Sequence, residues 1–128
     1  MTSFPIWAAV AGGGALGATA RYGVSVLAAR LFGPAFPWGT LAANVLGCFA
    51  MGLVVHWLAG REPNPMALRA FLAIGALGGF TTFSAFALDV VTLYRDKTFA
   101  VAAAYLLASV ILSVGGLLAG LAAGRAFA

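Results

Sequence analysis

The sequence predicts an all-α membrane protein of four transmembrane helices, the third of which is broken near its middle. Of the 128 residues, 63% are hydrophobic and only 8% are charged, whereas a soluble domain has about 25% charged residues. Four long apolar stretches alternate with short polar connections, and the third stretch is interrupted by GALGGFTTFSAFALD (75–89). A chain this apolar cannot cover itself with polar surface, so we expect it to lie within a lipid bilayer.

The predicted spans form one domain that covers 1–128. They run over 5–30, 38–60, 68–94 and 99–123, and each meets the length of about 20 residues that a crossing requires. FGPAFPWG (32–39) and GREPNPMALR (60–69) each contain two prolines, which are typical of turns. RDK (95–97) is a minimal polar turn before the last span.

The basic residues are distributed evenly between the two predicted membrane surfaces. Their net excess of +4 forms no patch of the kind that binds nucleic acid, and single Lys and Arg residues at span ends are typical of membrane flanks. Arg61, Arg69 and Arg125 lie on the side of the N-terminus, and Arg30, Arg95 and Lys97 lie on the opposite side. Because orientation follows an imbalance of Lys and Arg, this balance predicts insertion in both orientations and an antiparallel homodimer. A single orientation set by weaker signals is the alternative.

The interrupted stretch combines features that disfavour a continuous helix. Gly78 and Gly79 are adjacent, and each glycine lowers helix stability by about 1 kcal/mol relative to alanine. Thr81, Thr82 and Ser84 can bond nearby backbone groups in place of the helical ladder. Broken helices at membrane depth occur where protein or a water-filled cavity satisfies the freed backbone. We therefore predict a polar break that binds or passes something small.

Few ionisable residues fall inside the spans, and Arg21 and Asp89 are the charged ones that lie well away from the span ends. Arg21 lies nine residues before Arg30, and Asp89 lies six residues before Arg95, which places them roughly 13 Å and 9 Å from the same surface. Charge at such depth is costly unless it is paired or exposed to a water-filled vestibule, so pairing between them, within one subunit or across a dimer, is one expectation. Arg21 attracting an anion, with Asp89 only neutralising it, is a second reading, and both stay open.

Uncharged polar residues line up on the second and fourth spans. Thr40 and Asn44 are four residues apart and share a helix face. Tyr105, Ser109 and Ser113 repeat at the same spacing. Membrane hydroxyls often bond their own backbone four residues back, so simple helix packing is the alternative to a polar track that guides an ion. Gly116, Gly120 and Gly124 roughly continue this stripe.

Phenylalanines accompany this track on the third span. Phe80, Phe83 and Phe86 share a broad helical face. The positive edges of aromatic rings can coordinate an anion weakly, and weak coordination suits conduction because an ion must leave as readily as it enters. We assign Phe80 to lipid contact or packing and keep the other two as candidate ligands.

Enzymatic and metal-centred chemistry is not predicted. Cys48 is the only cysteine and is expected to pack as a small apolar side chain, and His56 is read as an interfacial residue near the end of its span. GALGGFTT (75–82) lacks the lysine of a phosphate-binding loop. No set of nucleophile and base is visible in the sequence.

Three motifs together resemble those of the small bacterial fluoride channels, the Fluc or CrcB type. They are GALGATARY (14–22), TLAANVLG (40–47) and GGFTTFSAF (78–86), and the resemblance covers essentially the whole chain. It implies an antiparallel dual-topology homodimer in the bacterial inner membrane, with two pores that export fluoride passively and lower its cytoplasmic level.

The resemblance also implies roles for individual residues. Phe83 and Phe86 match the pair that coordinates fluoride, Arg21 matches the vestibule arginine, and the backbone carbonyls of Gly78 and Thr81 match a structural Na⁺ site on the dimer axis. The residues that match or extend the pore lining are Thr40, Asn44, Tyr105, Ser109 and Ser113. The role of Asp89 is left open.

Two other functions fit the composition less well. Small proton-coupled exporters of the multidrug-resistance type also have four spans, but they need a carboxylate inside the membrane. Here the first span contains no acidic residue, and the only glutamate, Glu62, falls in a connection. A non-transporting assembly subunit would explain the glycines and leave the polar track without a purpose.

Overall fold

A computed structural model describes residues 3–61, 63 and 65–127. Glu62, which entered the comparison with exporters, lies outside the described residues. The described chain is all helical. Its elements are α1 (Phe4–Phe32), α2 (Trp38–Ala59), α3 (Met66–Arg69), a π-helical segment (Ala70–Leu77), α4 (Gly78–Phe80), α5 (Phe83–Asp96) and α6 (Phe99–Ala126).

Three described segments are long and apolar enough to cross a membrane. They are Trp38–Ala59, Met66–Asp96 and Phe99–Ala126, with mean hydropathies of 1.8, 1.7 and 2.2. Helix α1 has 29 residues, which exceeds the length of a crossing, but it is rich in glycine and alanine and contains Arg21. The chain is therefore a multi-pass membrane protein.

The predicted break in the third span is present and lies between α4 and α5. Thr81 and Thr82 have extended backbone angles, with ψ of 157° and 126°, so the helix ends at Phe80 and restarts at Phe83. The sequence did not predict the π-helical segment before it, where hydrogen bonds span five residues, as from Gly78 N–H to Ala73 O. Such wide turns are frequent at functional sites.

Glycines allow the backbones to approach closely at two helix contacts. A Cβ added to Gly75 would lie 2.9 Å from the Cα of Gly13, where the third span crosses α1. A Cβ added to Gly52 would lie 2.9 Å from the carbonyl carbon of Gly120, where α2 crosses α6. Both contacts need residues without side chains, as is usual between membrane helices. They hold α1 and α2 against the broken span and the polar face of α6.

Candidate functional site

Asn44 on α2 binds both backbone groups of Thr82 at the break. Its Oδ1 accepts a hydrogen bond from Thr82 N–H at 2.8 Å, and its Nδ2 donates to Thr82 O at 3.1 Å. This pair of hydrogen bonds fixes the orientation of the amide, because a backbone N–H can only donate and a carbonyl can only accept. One Nδ2 hydrogen remains, and Asn44 lines the cavity described below.

The carbonyl oxygens at a helix end lose their helical partners, and Gly78 O and Thr81 O are two of those freed at the break. In a continuous helix Thr82 N–H would bond Gly78 O, but it bonds Asn44 instead. Ala85 N–H would bond Thr81 O, but it bonds the Thr82 hydroxyl at 3.1 Å, which makes Thr82 the N-cap of α5. These two carbonyls, which the family resemblance matches to a Na⁺ site, are thus among those whose i+4 donors are diverted.

Arg21 and Asp89 have different partners and are not paired with each other among the described residues. Arg21 Nε donates to the Gly79 carbonyl at 3.1 Å and so satisfies another acceptor freed near the break. Asp89 accepts a hydrogen bond from the Tyr105 hydroxyl at 3.0 Å. The pairing considered from the sequence is therefore absent within one described chain. A half-buried guanidinium therefore lies beside the break, outside the lining of the cavity described next.

An inner cavity of about 290 Å³ opens beside the break. The predicted ligands Phe83 and Phe86 both line it, with their ring centroids 5.5 Å apart. The other residues that line it are Asn44, Cys48, Thr81, Thr82, Ser109, Val110, Ser113 and Val114. No charged side chain lines this cavity among the described residues. Its wall therefore combines amide and hydroxyl donors with apolar surface.

Ser109 carries a buried polar group that the described residues leave unsatisfied. Only 4% of Ser109 is exposed, and its hydroxyl makes no hydrogen bond within the described structure. Buried polar groups are almost always hydrogen-bonded. Since Ser109 lines the inner cavity, an ion or water in that cavity is the natural partner for its hydroxyl.

An outer cavity of about 380 Å³ lies at the membrane-surface end of the same region. It is bordered by the connection between α1 and α2 and by the end of α5, and Asp89 and Thr40 line it. Asp96 and Lys97 also line it, so a basic side chain stands at its rim. Thr40 and Asn44, predicted to share a face, therefore line different cavities.

Tyr105 lies between these two cavities. It is fully buried, and its hydroxyl donates a hydrogen bond to Asp89. Its ring contacts Phe86 with a centroid separation of 5.5 Å. Of the predicted track, Ser109 and Ser113 line the inner cavity, whereas Tyr105 lies buried against Phe86.

The sequence analysis did not predict every residue that borders the two cavities or the break. Phe36 contacts Tyr105 edge to face at 5.4 Å, but a phenylalanine in a proline-rich turn carries no distinctive signal. Cys48 lines the inner cavity, and its position one turn after Asn44 could have suggested this. The Thr82 cap had a recognisable signal, because threonine is favoured immediately before a helix.

The structure is consistent with a packing role for Phe80 and for the glycines that follow Ser113 on α6. A Cβ added to Gly47 would lie 3.1 Å from the Phe80 ring, which places that ring against α2. The glycines that continue the α6 stripe also meet α2: a Cβ added to Gly116 or Gly124 would contact Val45 or His56. This glycine portion of the stripe therefore belongs to helix packing, and the polar track ends at Ser113.

Comparison with known proteins agrees with this architecture. The model of the family described as "CrcB-like protein, Camphor Resistance (CrcB)" matches residues 8–121. The chain belongs to the CrcB-like family. This match spans all four helical regions and both sides of the break.

Curated relatives of this CrcB-like chain carry the name fluoride-specific ion channel FluC. One from Agrobacterium fabrum is 50% identical over 118 residues, covering 92% of this chain and 94% of that protein. Another from Paracoccus denitrificans is 55% identical over 116 residues, covering 91% of each. A third, from Cereibacter sphaeroides, is 58% identical over 116 residues with the same coverage.

Replacing Asn44 with alanine is expected to destabilise the protein strongly. The change leaves the N–H and carbonyl of Thr82 without partners at a half-buried site, and each unsatisfied buried group costs about 1–3 kcal/mol. Thermal unfolding in detergent measures the effect.

Thr19→Val is the matched control for this substitution. The Thr19 hydroxyl is exposed and bonds only Ala15 O within its own helix, so its loss should change stability little. Equal unfolding midpoints for the Asn44 and Thr19 variants would show that the amide does not stabilise the break.

Proposed function

We propose that this protein is a fluoride-selective ion channel, and not an enzyme, that lets F⁻ leave the cell passively and so lowers cytoplasmic fluoride. The observation that carries the proposal is the inner cavity, where Phe83 and Phe86 meet a free amide hydrogen of Asn44 and the unsatisfied Ser109 hydroxyl. The name shared by the relatives supports fluoride as the ion. The family and these names do not favour the exporter alternative.

The chemistry of the cavity suits a small anion. Hydroxyl and amide donors replace part of the hydration shell of the ion, and aromatic edges add weak positive potential. Without a fixed positive charge in the wall, the ion is not held tightly, which conduction requires. Tyr105, Ser109 and Ser113 supply the donors along the path, and Thr40 lies where the path meets the outer cavity.

We further propose that the channel is an antiparallel homodimer of four-span subunits in the bacterial inner membrane, with two pores. On a single chain 78% of Phe83 is exposed, and Gly78 and Ser84 are exposed beside it. Polar backbone at a break is not stable against lipid, so a second copy is the expected cover. Arg21, half-buried beside the break, would then lie at the base of a vestibule between the subunits.

A structural Na⁺ on the dimer axis fits the carbonyls at the break. Hard cations prefer oxygen ligands, and the carbonyls of Gly78 and Thr81 are the two whose helical donors are diverted to Asn44 and Thr82. Two antiparallel copies would contribute these carbonyls in pairs. The ion would join the subunits and take no part in moving fluoride.

Phe83→Ile and Phe86→Ile are expected to reduce fluoride efflux from liposomes by about tenfold or more, which corresponds to about 1.4 kcal/mol in barrier height. Isoleucine keeps apolar volume but removes the ring edges. A fluoride electrode measures the efflux, and size-exclusion chromatography checks that the dimer persists.

Phe80→Ile serves as the control for the ring substitutions, because the Phe80 ring packs on α2. It should conduct close to the wild-type rate. Wild-type fluoride flux in both cavity variants, or wild-type chloride flux equal to fluoride flux, would refute the assignment.

Dual topology predicts that the C-terminal end lies on both sides of the membrane. Phe127→Cys in a Cys48→Ser background should be labelled about equally from either side, because the flanking basic residues are balanced. Adding Arg95→Gln and Lys97→Gln should shift labelling toward one side. Labelling from one side only before those changes would rule out dual topology.

Sodium binding predicts that Na⁺ stabilises the dimer relative to an organic cation. Ligand that binds only the assembled state stabilises it by RT ln(1 + [L]/Kd), about 2.7 kcal/mol at a hundredfold excess over Kd. Thermal unfolding in Na⁺ and in N-methylglucamine at equal ionic strength tests this. Equal midpoints at saturating Na⁺ would contradict the site.

A further inference from the structure

An uninterrupted series of aromatic contacts leads from the membrane-surface turn to the inner cavity. The Phe32 ring contacts Trp38 at 5.9 Å, and Trp38 contacts Phe36 at 4.6 Å. Phe36 then meets Tyr105, which meets Phe86. These rings come from α1, the following connection, α2, α6 and α5, so the series joins parts of the chain that are distant in sequence.

The middle of this series separates the two cavities. Phe36 lines the outer cavity and Phe86 lines the inner one. Tyr105 lies between them with none of its surface exposed, and its ring centroid is 5.4 Å from Phe36 and 5.5 Å from Phe86. Along this line of ring contacts, Tyr105 therefore separates the wall of the outer cavity from the wall of the inner one.

We propose that the Phe36–Tyr105 contact is the constriction of each pore, and that Phe36 is a positioning residue that determines which anions pass. The inference rests on the proposed fluoride conduction and adds a residue that belongs to neither the phenylalanine pair nor the hydroxyl track. It also gives the turn between α1 and α2 a function in selectivity.

The local structure explains how Phe36 restrains the tyrosine. Pro34 and Pro37 flank the residue, and proline fixes the backbone torsion φ of its own position. Trp38 covers one side of the Phe36 ring, so the ring has little freedom to turn away. Its edge contact holds the Tyr105 ring while the hydroxyl donates to Asp89, a residue that lines the outer cavity.

The constriction discriminates by size and by hydration. An apolar ring wall offers no substitute for lost water, and narrow apolar segments resist the passage of hydrated ions. The hydroxyls of Thr40 in the outer cavity and Ser109 in the inner cavity provide donors on either side of this point. A small anion can exchange water for these donors, whereas a larger anion needs the ring of Phe36 to move.

The test compares fluoride and chloride efflux from liposomes that contain the full-length protein. Phe36→Ala removes the ring wall, and we expect the fluoride-to-chloride flux ratio to fall by about tenfold or more. Phe36→Leu retains part of the volume and should give a smaller fall. If the alanine variant fails to assemble, the flux ratio of Phe36→Leu tests the constriction by itself.

Two further variants separate positioning from general damage. Tyr105→Phe keeps both ring contacts and loses the bond to Asp89, so fluoride flux should fall while the flux ratio is retained. Phe32→Ala removes another ring of the same series that contacts Trp38 rather than Tyr105, and it should keep the wild-type ratio and rate.

The outcomes distinguish this inference from the proposed function. If wild-type protein conducts fluoride selectively, and Phe36→Ala or Phe36→Leu keeps the wild-type flux ratio, the constriction is refuted and the channel function stands. A fall in the fluoride-to-chloride flux ratio that is as large in Phe32→Ala as in Phe36→Ala would also refute the constriction. Wild-type protein without selective fluoride flux would instead overturn the channel function itself.

Discussion

The two hydrogen bonds between the Asn44 side chain and the Thr82 backbone hold the third span open. Backbone groups at membrane depth must be satisfied within the protein, because lipid offers neither donors nor acceptors. A continuous helix would satisfy Thr82 without help, so a break persists only if another group replaces the missing ladder. The amide of Asn44 replaces both bonds at once, and the arrangement of α4, α5 and the inner cavity depends on it.

The remaining polar groups at the break follow from this substitution. Thr82 N–H bonds Asn44, and Ala85 N–H bonds the Thr82 hydroxyl. The carbonyls of Gly78 and Thr81 therefore lose their usual donors. Arg21 binds a third, that of Gly79. In the proposed dimer these groups would meet their copies, so the same few hydrogen bonds that open the helix would also create the site for a bridging cation.

The two cavities differ in charge, and this difference suits passive conduction. Ionisable side chains line the outer cavity, where Lys97 and Asp96 stand at the membrane surface. The inner cavity is lined by rings, hydroxyls and one amide. Weak neutral donors inside the protein let an ion continue, because they do not hold it tightly. A carboxylate that exchanged protons for substrate would need to lie in the inner region.

The sequence by itself determined the helical membrane architecture, the position of the break and the residue types of the track. Hydrophobic stretches, paired glycines and hydroxyls at four-residue spacing are local patterns, and local patterns report the conformation of the backbone. The predicted spans and break accordingly agree with the observed helices to within a few residues. The motifs of 78–86 also indicated the family before the fold was known.

Only the tertiary structure decided which groups meet. Asn44 pairs with Thr82 and Tyr105 with Asp89, although the sequence had suggested Arg21 as a partner for Asp89 at similar depth. Depth along a span follows from residue number, but the direction of a side chain around the bundle depends on how four helices pack. For the same reason the contact of Phe36, a residue of an ordinary turn, with Tyr105 of α6 could not be read from the sequence.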